Sequence, residues 1–324
     1  MTQTPFTRRA ALTGAAALAA APLAVRPAAA AAPMLGTSQP FFNRFTVGSY
    51  EVTTILDGAV QIPGPHPIFG QNVSAEDVAA LTAENFLPSD KMEIPFTVTL
   101  VNTGSELILF DTGNGDSGRR PNAGLLGERL AAAGYSADQV DVVVITHFHP
   151  DHINGLTEGG TPVFPNARYV TNAAEYDFWT SDDLLADEGM AKRHAMVQAK
   201  VVPFAEKMSF IEPGGAVASG VEALDGSGHT PGHTCYHIED GGQRLVLIAD
   251  LCNHYVVSLQ RPDWHVRFDM DKDAAAARRK EVLGMIAADK VPFVGYHMPP
   301  PSVGYLETLG DGFRYVPASY QLRV

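Results

Sequence analysis

The stretch Ile145-Thr146-His147-Phe148-His149-Pro150-Asp151-His152 decides both the fold and the chemistry of this chain. It includes the end of an apolar run, residues 142–145, that predicts a buried strand. Side chains two residues apart on extended backbone point the same way, so His147 and His149 can hold one ion together. The proline excludes helix at the residue before it, and the last two residues can then turn towards a second ion. Imidazole and carboxylate are common ligands of zinc, so the stretch predicts a metal site.

Three later segments also place ligating side chains directly after predicted strands. Gly228-His229-Thr230-Pro231-Gly232-His233-Thr234 puts two histidines in a tight turn, residues 248–250 end on Asp250, and residues 295–297 end on His297. A buried strand rarely finishes on a charged or ligating group that lacks a partner. We therefore expect these strand ends to converge with the first cluster on one edge of the fold.

The hydrophobic pattern predicts two groups of strands, each closed by helices. Strands are expected at residues 45–56 (ending in a turn at Asp57-Gly58), 96–101, 107–110, 142–145, 167–171, 221–224, 234–239, 244–248 and, as the last, 293–296. Helices are expected at residues 74–85, 123–133, 172–179, 184–200 and 273–288. This order predicts two sheets packed face to face with helices outside.

Residues 1–33 have the pattern of an export signal. Paired arginines, Arg8 and Arg9, precede an alanine-rich stretch that ends in small residues such as Ala28-Ala29-Ala30. This pattern predicts a twin-arginine-type signal peptide and an exported, periplasmic or secreted protein whose folded domain is residues 34–324. The apolar run is short and broken by proline, which disfavours a membrane anchor.

The charge of the chain narrows the class of substrate. Residues 1–33 hold three arginines and no acids, so their removal changes the formal charge from −13 to −16. An acidic surface repels phosphate backbones, which disfavours nucleic acid. We expect a neutral or cationic small-molecule substrate.

Two cysteines are too few for a disulfide framework. Cys235 and Cys252 each lie two residues after a candidate ligand. Both interpretations stay open: two small buried apolar side chains, or one bond formed in an oxidising compartment.

The ligand pattern resembles the metallo-β-lactamase superfamily, and within it the methyl parathion hydrolases and the similar acyl-homoserine lactonases. The resemblance rests on the motif His147-x-His149-x-Asp151-His152 followed by His233, Asp250 and His297. Further shared segments are Asn102-Thr103-Gly104-Ser105, Phe164-Pro165-Asn166-Ala167, Asp177-Phe178-Trp179, the His229–His233 turn and Gly312-Phe313-Arg314-Tyr315-Val316-Pro317.

This resemblance implies an α/β fold, the four-layered αββα sandwich, with two divalent ions at one edge. It implies that one ion is held by His147, His149 and His233, the other by Asp151, His152 and His297, and that Asp250 bridges them. Zinc is the expected metal, with manganese, cobalt or iron as alternatives. Asp111 and His229 are expected to support the ligands from behind, and Trp179 to line the substrate pocket.

The resemblance implies a hydrolase in which a hydroxide shared by two metals attacks a neutral hydrophobic ester. Lactones are the first expectation, with phosphotriesters as side substrates and Asp151 passing a proton to the leaving alkoxide. The alternatives are a dedicated phosphotriesterase and a non-catalytic metal-binding protein. Phenylalanines expected in a phosphotriesterase are missing around Arg119 and Met190, which favours lactones.

Three further interpretations concern the surroundings of the site. His254 and His265 are interpreted as solvated loop histidines outside it. A hydroxyl beside the metals is expected from Tyr296 or Tyr255. An aromatic patch of Phe41, Phe42 and Phe45 either packs against a second subunit or covers its own sheet, and the resemblance favours a homodimer.

Overall fold

The computed structural model describes residues 39–318, so the predicted signal peptide at residues 1–33 lies outside the described residues. Within residues 39–318 the first large sheet has seven strands. In order across the sheet they are β1 (Phe42–Val47), β2 (Tyr50–Pro63), β3 (Lys91–Asn102), β4 (Leu107–Phe110), β5 (Val142–Val144), β8 (Arg168–Asn172) and β9 (Met208–Ile211). Its first four strands pair antiparallel, and β4, β5, β8 and β9 pair parallel.

The second large sheet of the described residues has seven strands that follow one another in chain order. They are β10 (Ala216–Ala218), β11 (Val221–Asp225), β12 (Thr234–Asp240), β13 (Gln243–Ala249), β14 (Phe293–Gly295), β15 (Val303–Leu309) and β16 (Gly312–Pro317). The β13–β14 pair is parallel and the other pairs are antiparallel. Between the sheets in sequence, β6 (Thr157–Glu158) and β7 (Thr161–Pro162) form a small hairpin.

The helices lie outside the two sheets. They are α1 (Ala75–Glu84), α2 (Leu126–Ala132), α3 (Pro150–Ile153), α4 (Ala173–Thr180), α5 (Glu188–Lys200), α6 (Val257–Gln260) and α7 (Lys272–Asp289), together with short 3₁₀ turns. Ser74 caps α1 with a reciprocal capping box, and the Asn172 side chain caps α4 by accepting from the Ala174 N–H at 2.8 Å. Among residues 39–318 we find no helix with the length and apolar character that a membrane crossing requires.

Alternation along the strands builds the layers. Ile108 and Phe110 of β4 belong to the core between the sheets, where the Phe110 ring lies 5.1 Å from that of Tyr236. Leu109, one residue away, faces the helices on the outer side of the first sheet. Val246 of β13 packs on the outer side of the second sheet with residues of α7, among them Leu283. The result is the predicted αββα sandwich.

Several boundaries differ from the predictions. Asp57-Gly58 is not a turn, because β2 continues through a bulge there, and the predicted last strand is followed by the β15–β16 hairpin. The chain turns earlier, at Gly48, whose φ of +59° favours glycine. The predicted helix at 184–200 is divided at Asp187, which ends a 3₁₀ turn and caps α5.

The bulge at Asp57 anchors a long loop. The buried Asp57 carboxylate accepts hydrogen bonds from the N–H groups of Asn114, Gly124 and Leu126 at 2.8–3.1 Å, and from the Asn114 side-chain amide at 2.9 Å. A Cβ on Gly58 would lie 2.2 Å from the Asn122 carbonyl oxygen, so the same loop packs directly on the strand. The loop between β4 and α2 is therefore held at both of its ends.

The burial of single side chains bears on two of the predictions, the aromatic patch and the cysteines. Phe45 is buried in the core between the sheets, so only Phe41 and Phe42 of the predicted aromatic patch are exposed, and the homodimer stays a prediction. Cys235 and Cys252 are both buried and free. The interpretation as two small apolar side chains agrees with this arrangement.

Candidate metal centre

Histidines and carboxylates from five segments meet at one edge of the sandwich. They follow β5 (His147 and His149), begin α3 (Asp151 and His152), occupy the turn before β12 (His229) and follow β13 (Asp250) and β14 (His297). Ala249 ends β13 with a left-handed φ of +43°, which costs an alanine about 1–2 kcal/mol. Such backbone strain is typical of functional sites.

The first group that can hold a metal consists of His147, His149, His229 and Asp250, all buried. The Nδ1 atom of His149 lies 3.0 Å from Nε2 of His147 and 3.0 Å from Nε2 of His229. Nε2 of His229 lies 3.3 Å from Oδ2 of Asp250. Three ring nitrogens and one carboxylate oxygen therefore point into one small volume.

The second group consists of Asp151, His152 and His297. Oδ2 of Asp151 lies 3.5 Å from Nε2 of His152 and 3.6 Å from Nε2 of His297. Asp250 also reaches this group, because its Oδ1 lies 3.2 Å from His152 Nε2 and its Oδ2 lies 3.1 Å from His297 Nε2. Asp250 thus stands between the two groups.

The donor set fits two divalent cations. In residues 39–318, the buried His152 Nε2 and Asp250 Oδ1 atoms find no hydrogen-bond partner, although they face each other. A buried polar atom without a partner costs free energy unless another ligand satisfies it. Burial also lowers the pKa of His147 and His149 well below the usual value, which keeps their rings neutral as metal ligands must be.

The assignment of the two histidines in the glycine-proline turn is the reverse of the predicted one. His233 was expected to hold a metal, but its Nδ1 donates to the Gly226 carbonyl at 2.8 Å and its Nε2 accepts the Asp250 backbone N–H at 3.1 Å. Both ring nitrogens are therefore occupied by backbone. Burial lowers the pKa of His233 to about 3, as this neutral role requires. His229 takes the position beside the other ligands, and His233 holds the end of β13.

Each group has a buried carboxylate behind one histidine. Asp111, with a left-handed φ of +63° after β4, accepts from His152 Nδ1 at 2.8 Å and from the Thr146 N–H at 2.9 Å. Asp269 does the same for His229 Nδ1 at 2.9 Å, and the buried Arg279 binds its other oxygen at 2.6 Å. Such partners fix the orientation and tautomer of ligating histidines. Against the effect of burial, Asp250 and Asp269 raise the pKa of His229 to about 9, so a metal bound there would displace a proton from this ring.

Trp179 does not line the substrate cavity. It is fully buried and its Nε1 donates to Oε1 of Glu175 at 2.7 Å, so its expected role is wrong. The same Oε1 accepts the Phe148 N–H at 2.8 Å, and Oε2 accepts from the Thr230 hydroxyl at 2.7 Å and the Gly232 N–H at 2.9 Å. Burial raises the pKa of Glu175, an effect that these four donors oppose. Glu175 therefore joins the two histidine-bearing loops.

Two other interpretations are revised by hydrogen bonding. The Tyr296 hydroxyl donates to the Asp151 carbonyl at 2.5 Å, and the Tyr255 ring stacks on His254, so neither belongs to the wall of the cavity. His254 is buried, where its Nδ1 accepts the N–H groups of Val256 and Val257 at 3.1 Å. The expectation that it is solvated is wrong.

A cavity of about 490 Å³ opens above the two groups. His149, Asp151, Asp250 and His297 form part of its lining. One part of its wall consists of aliphatic and aromatic side chains, namely Val60, Ile62, Ile94, Phe96 and Phe268. Two aromatic residues thus occur at positions that the sequence did not single out, while Met190 packs against the core instead. The arrangement suits a substrate with an apolar segment, which would lie against this part of the wall above the polar floor.

A sandwich of two sheets between helices, with histidines and carboxylates at one edge, defines a class of metal-dependent hydrolases. A model of the metallo-beta-lactamase superfamily matches residues 95–285. The chain therefore belongs to the metallo-beta-lactamase superfamily. Among curated protein sequences, no significant match was found.

Solved structures of the same fold include lactonases. The chain is similar to AidC, a dizinc quorum-quenching lactonase in complex with a product, at 27% identity and a TM-score of 0.79, over 86% of this chain and 98% of that one. It is also similar to the hydrolase AbOPH of the beta lactamase superfamily, at 23% identity and a TM-score of 0.81, over 88% and 99%. A quorum-quenching N-acyl homoserine lactone lactonase matches at 21% identity and a TM-score of 0.56, over 79% and 94%. The last two likenesses show the fold alone. The dizinc relative and the two ligand groups together indicate a binuclear metal site.

Proposed function

We propose that the protein hydrolyses hydrophobic esters, lactones above all, with two divalent ions held by the two ligand groups. The observation that supports this most is the position of Asp250 between both groups, at the floor of a cavity whose wall is apolar on one part. The similarity to a dizinc lactonase over most of both chains supports the same substrate class. Zinc is the proposed metal, because histidine-rich sites with carboxylates favour it.

The ions, when bound, would polarise the scissile carbonyl and activate a water molecule near neutral pH. The residues of the chain set the geometry. Asp250 would keep the two positions at a fixed separation, and Asp111 and Asp269 would keep His152 and His229 oriented. Asp151, about one fifth exposed at the side of the cavity, is the proposed carrier of the proton to the leaving alkoxide.

Phosphotriester hydrolysis is proposed as a side activity. Phe96 and Phe268 in the cavity wall favour aryl leaving groups, which is the specific observation behind it. A non-catalytic metal-binding role is the third candidate, and the same assay separates it from the other two.

The test compares initial rates of the zinc-loaded protein on homoserine and aryl lactones with those on methyl parathion and paraoxon. We expect lactone kcat/KM of about 10⁴–10⁶ M⁻¹s⁻¹ and much lower phosphotriester values. Asp250→Asn should abolish both activities, while Glu84→Gln, on the exposed end of α1, should change neither. Faster phosphotriester hydrolysis would reverse the order of substrates. If the protein binds both ions and hydrolyses none of these substrates, the catalytic proposal is refuted.

A further inference from the structure

Three arginines from three different segments line the cavity above the candidate metal centre. Arg120 lies in the loop between β4 and α2, Arg193 in α5, and Arg267 between α6 and α7. All three are exposed. Arg193 is close enough to His149 for its charge to contribute to lowering the pKa of that histidine. The guanidinium of Arg267 lies over the Phe268 ring, 5.4 Å from its centre.

These arginines differ from the other arginines of the described residues in their hydrogen bonds and ion pairs. Across residues 39–318, the side chains of Arg120, Arg193 and Arg267 make neither an ion pair nor a hydrogen bond. The remaining arginines of this range each donate to a backbone or side-chain oxygen: Arg44, Arg119, Arg129, Arg168, Arg244, Arg261, Arg278, Arg279 and Arg314. The arginines without a partner are therefore those of the cavity.

Such an arrangement gains no ion pair within the described residues, and its packing gain is the contact of Arg267 with the Phe268 ring. A guanidinium is always protonated in proteins and offers five N–H donors, so each of these side chains keeps its charge at every physiological pH. Like charges around one cavity repel one another, which opposes folding. The chain as a whole has a formal charge of −13, whereas the lining of this cavity holds three arginines against two carboxylates, Asp151 and Asp250, at its floor. A cleft with an excess of one sign of charge concentrates ligands of the opposite sign.

We infer that the substrate of the proposed hydrolysis carries a carboxylate remote from the bond that is cleaved. The inference rests on the proposed function and names its substrate class: an ester or lactone with an apolar segment and an anionic end. The apolar segment would lie along Ile94 and Phe96, and the anionic end would pair with the arginines, whose planar fork matches a carboxylate. This class replaces the neutral or cationic substrate expected from net charge.

The reaction itself needs no further reactant. Hydrolysis adds one water molecule across the acyl C–O bond: the hydroxyl joins the acyl carbon, and the leaving alkoxide takes a proton to become an alcohol. A lactone that already carries a carboxylate therefore yields a product with two carboxylates at neutral pH.

The test uses a matched pair of γ-lactones, one with a side chain ending in a carboxylate and the other ending in the neutral carboxamide. With zinc-loaded protein we expect kcat/KM to favour the carboxylate about tenfold or more, mainly through KM. Arg193→Gln and Arg267→Gln should each reduce this preference, and high salt should reduce it in the wild type. Arg314→Gln is the matched control, because it removes one exposed arginine charge outside the cavity.

A binding measurement separates this inference from the proposed function. Calorimetry with hexanesulfonate and hexanol, neither of which is hydrolysed, should show sulfonate binding that weakens about tenfold or more in the cavity variants and not in Arg314→Gln. Equal hydrolysis of both lactones, unchanged in the variants, would overturn the inference and leave the hydrolase proposal standing. If neither lactone is hydrolysed, the hydrolase proposal fails, and the sulfonate result alone decides whether the arginines form an anion site.

Discussion

Glu175 is the residue whose substitution tests the organisation of the centre most directly. Its carboxylate is fully buried and accepts hydrogen bonds from Phe148 and Trp179 on one oxygen and from Thr230 and Gly232 on the other. Glu175→Gln keeps the shape of the side chain but replaces one acceptor oxygen by an amide NH₂. If the NH₂ group takes the place of Oε2, it can still donate a hydrogen bond to the Thr230 hydroxyl. The Gly232 N–H, however, loses its acceptor.

The magnitude follows from these contacts. One buried donor without a partner costs about 1–3 kcal/mol, and two bonds lose the roughly twofold strengthening that an ionised acceptor gives. Part of this loss is offset because the glutamine avoids the desolvation of a buried carboxylate. The expected net loss is about 2 kcal/mol in the free energy of unfolding, or about 3–4 °C in Tm. Since Phe148 lies between two candidate ligands, zinc affinity should also fall, by about tenfold.

The assay combines thermal unfolding of the metal-free protein with zinc competition against a chromophoric chelator. Glu84→Gln serves as the control, because Glu84 is exposed and should change neither quantity. A Glu175→Gln protein that unfolds at the wild-type temperature and binds zinc with unchanged affinity would refute the idea that this carboxylate joins the two loops.

Three further outcomes are expected. His229→Ala should lose zinc at one of the two positions, with a larger loss of affinity than the roughly tenfold to hundredfold that removing a residue behind a ligand costs. His233→Asn should retain both metals and lose stability, and elemental analysis showing the reverse order would restore the original assignment. Burial lowers the pKa of His254 to about 4, below the value near 6.5 that it has in the unfolded chain. This difference contributes about 3 kcal/mol to the free energy of unfolding above pH 6.5, and the contribution is lost as the pH falls towards 4. Urea unfolding between pH 4 and 6.5 should therefore show a shallower pH slope for His254→Asn than for the wild type, and equal slopes would contradict the assignment. Chelation should abolish hydrolysis and lower Tm, with zinc at about 100 times its Kd restoring about 2.7 kcal/mol, whereas a Tm indifferent to zinc would argue against a built metal site.

Local signals in the sequence predict the strands and the first ligand cluster well. The apolar run before His147 and the alternation of histidines after it depend on neighbouring residues only, and β5 lies where the pattern predicts it. The Asn172 cap is equally local, because an asparagine before a helical pattern satisfies the first free N–H groups of the helix.

Long-range partners account for what the sequence did not show. His229 and His233 share one turn, and only the Gly226 carbonyl and the Asp250 N–H, brought in by folding, decide which ring faces the other ligands. Glu175 stands in the first turn of α4, where an acid also complements the helix dipole, so its position alone suggests nothing more. No local sequence pattern predicts the roles of Asp269 and Arg279, because their ion pair joins a loop to a helix.

The tether at Asp57 has a consequence for how such an enzyme changes over generations. One carboxylate holds Asn114 at the start of the loop and Gly124 and Leu126 at its end, while Arg120 and its neighbours in the middle form part of the cavity wall. The anchors Gly124 and Leu126 and the cavity residues Ser117 and Arg120 are therefore separate positions. A library that randomises residues 117 and 120 and retains Asp57, Gly118 and Arg119 would sample new specificities on the same scaffold, because Gly118 has no room for a Cβ and Arg119 holds the Gly124 carbonyl. This loop is thus an evolvable module of the protein.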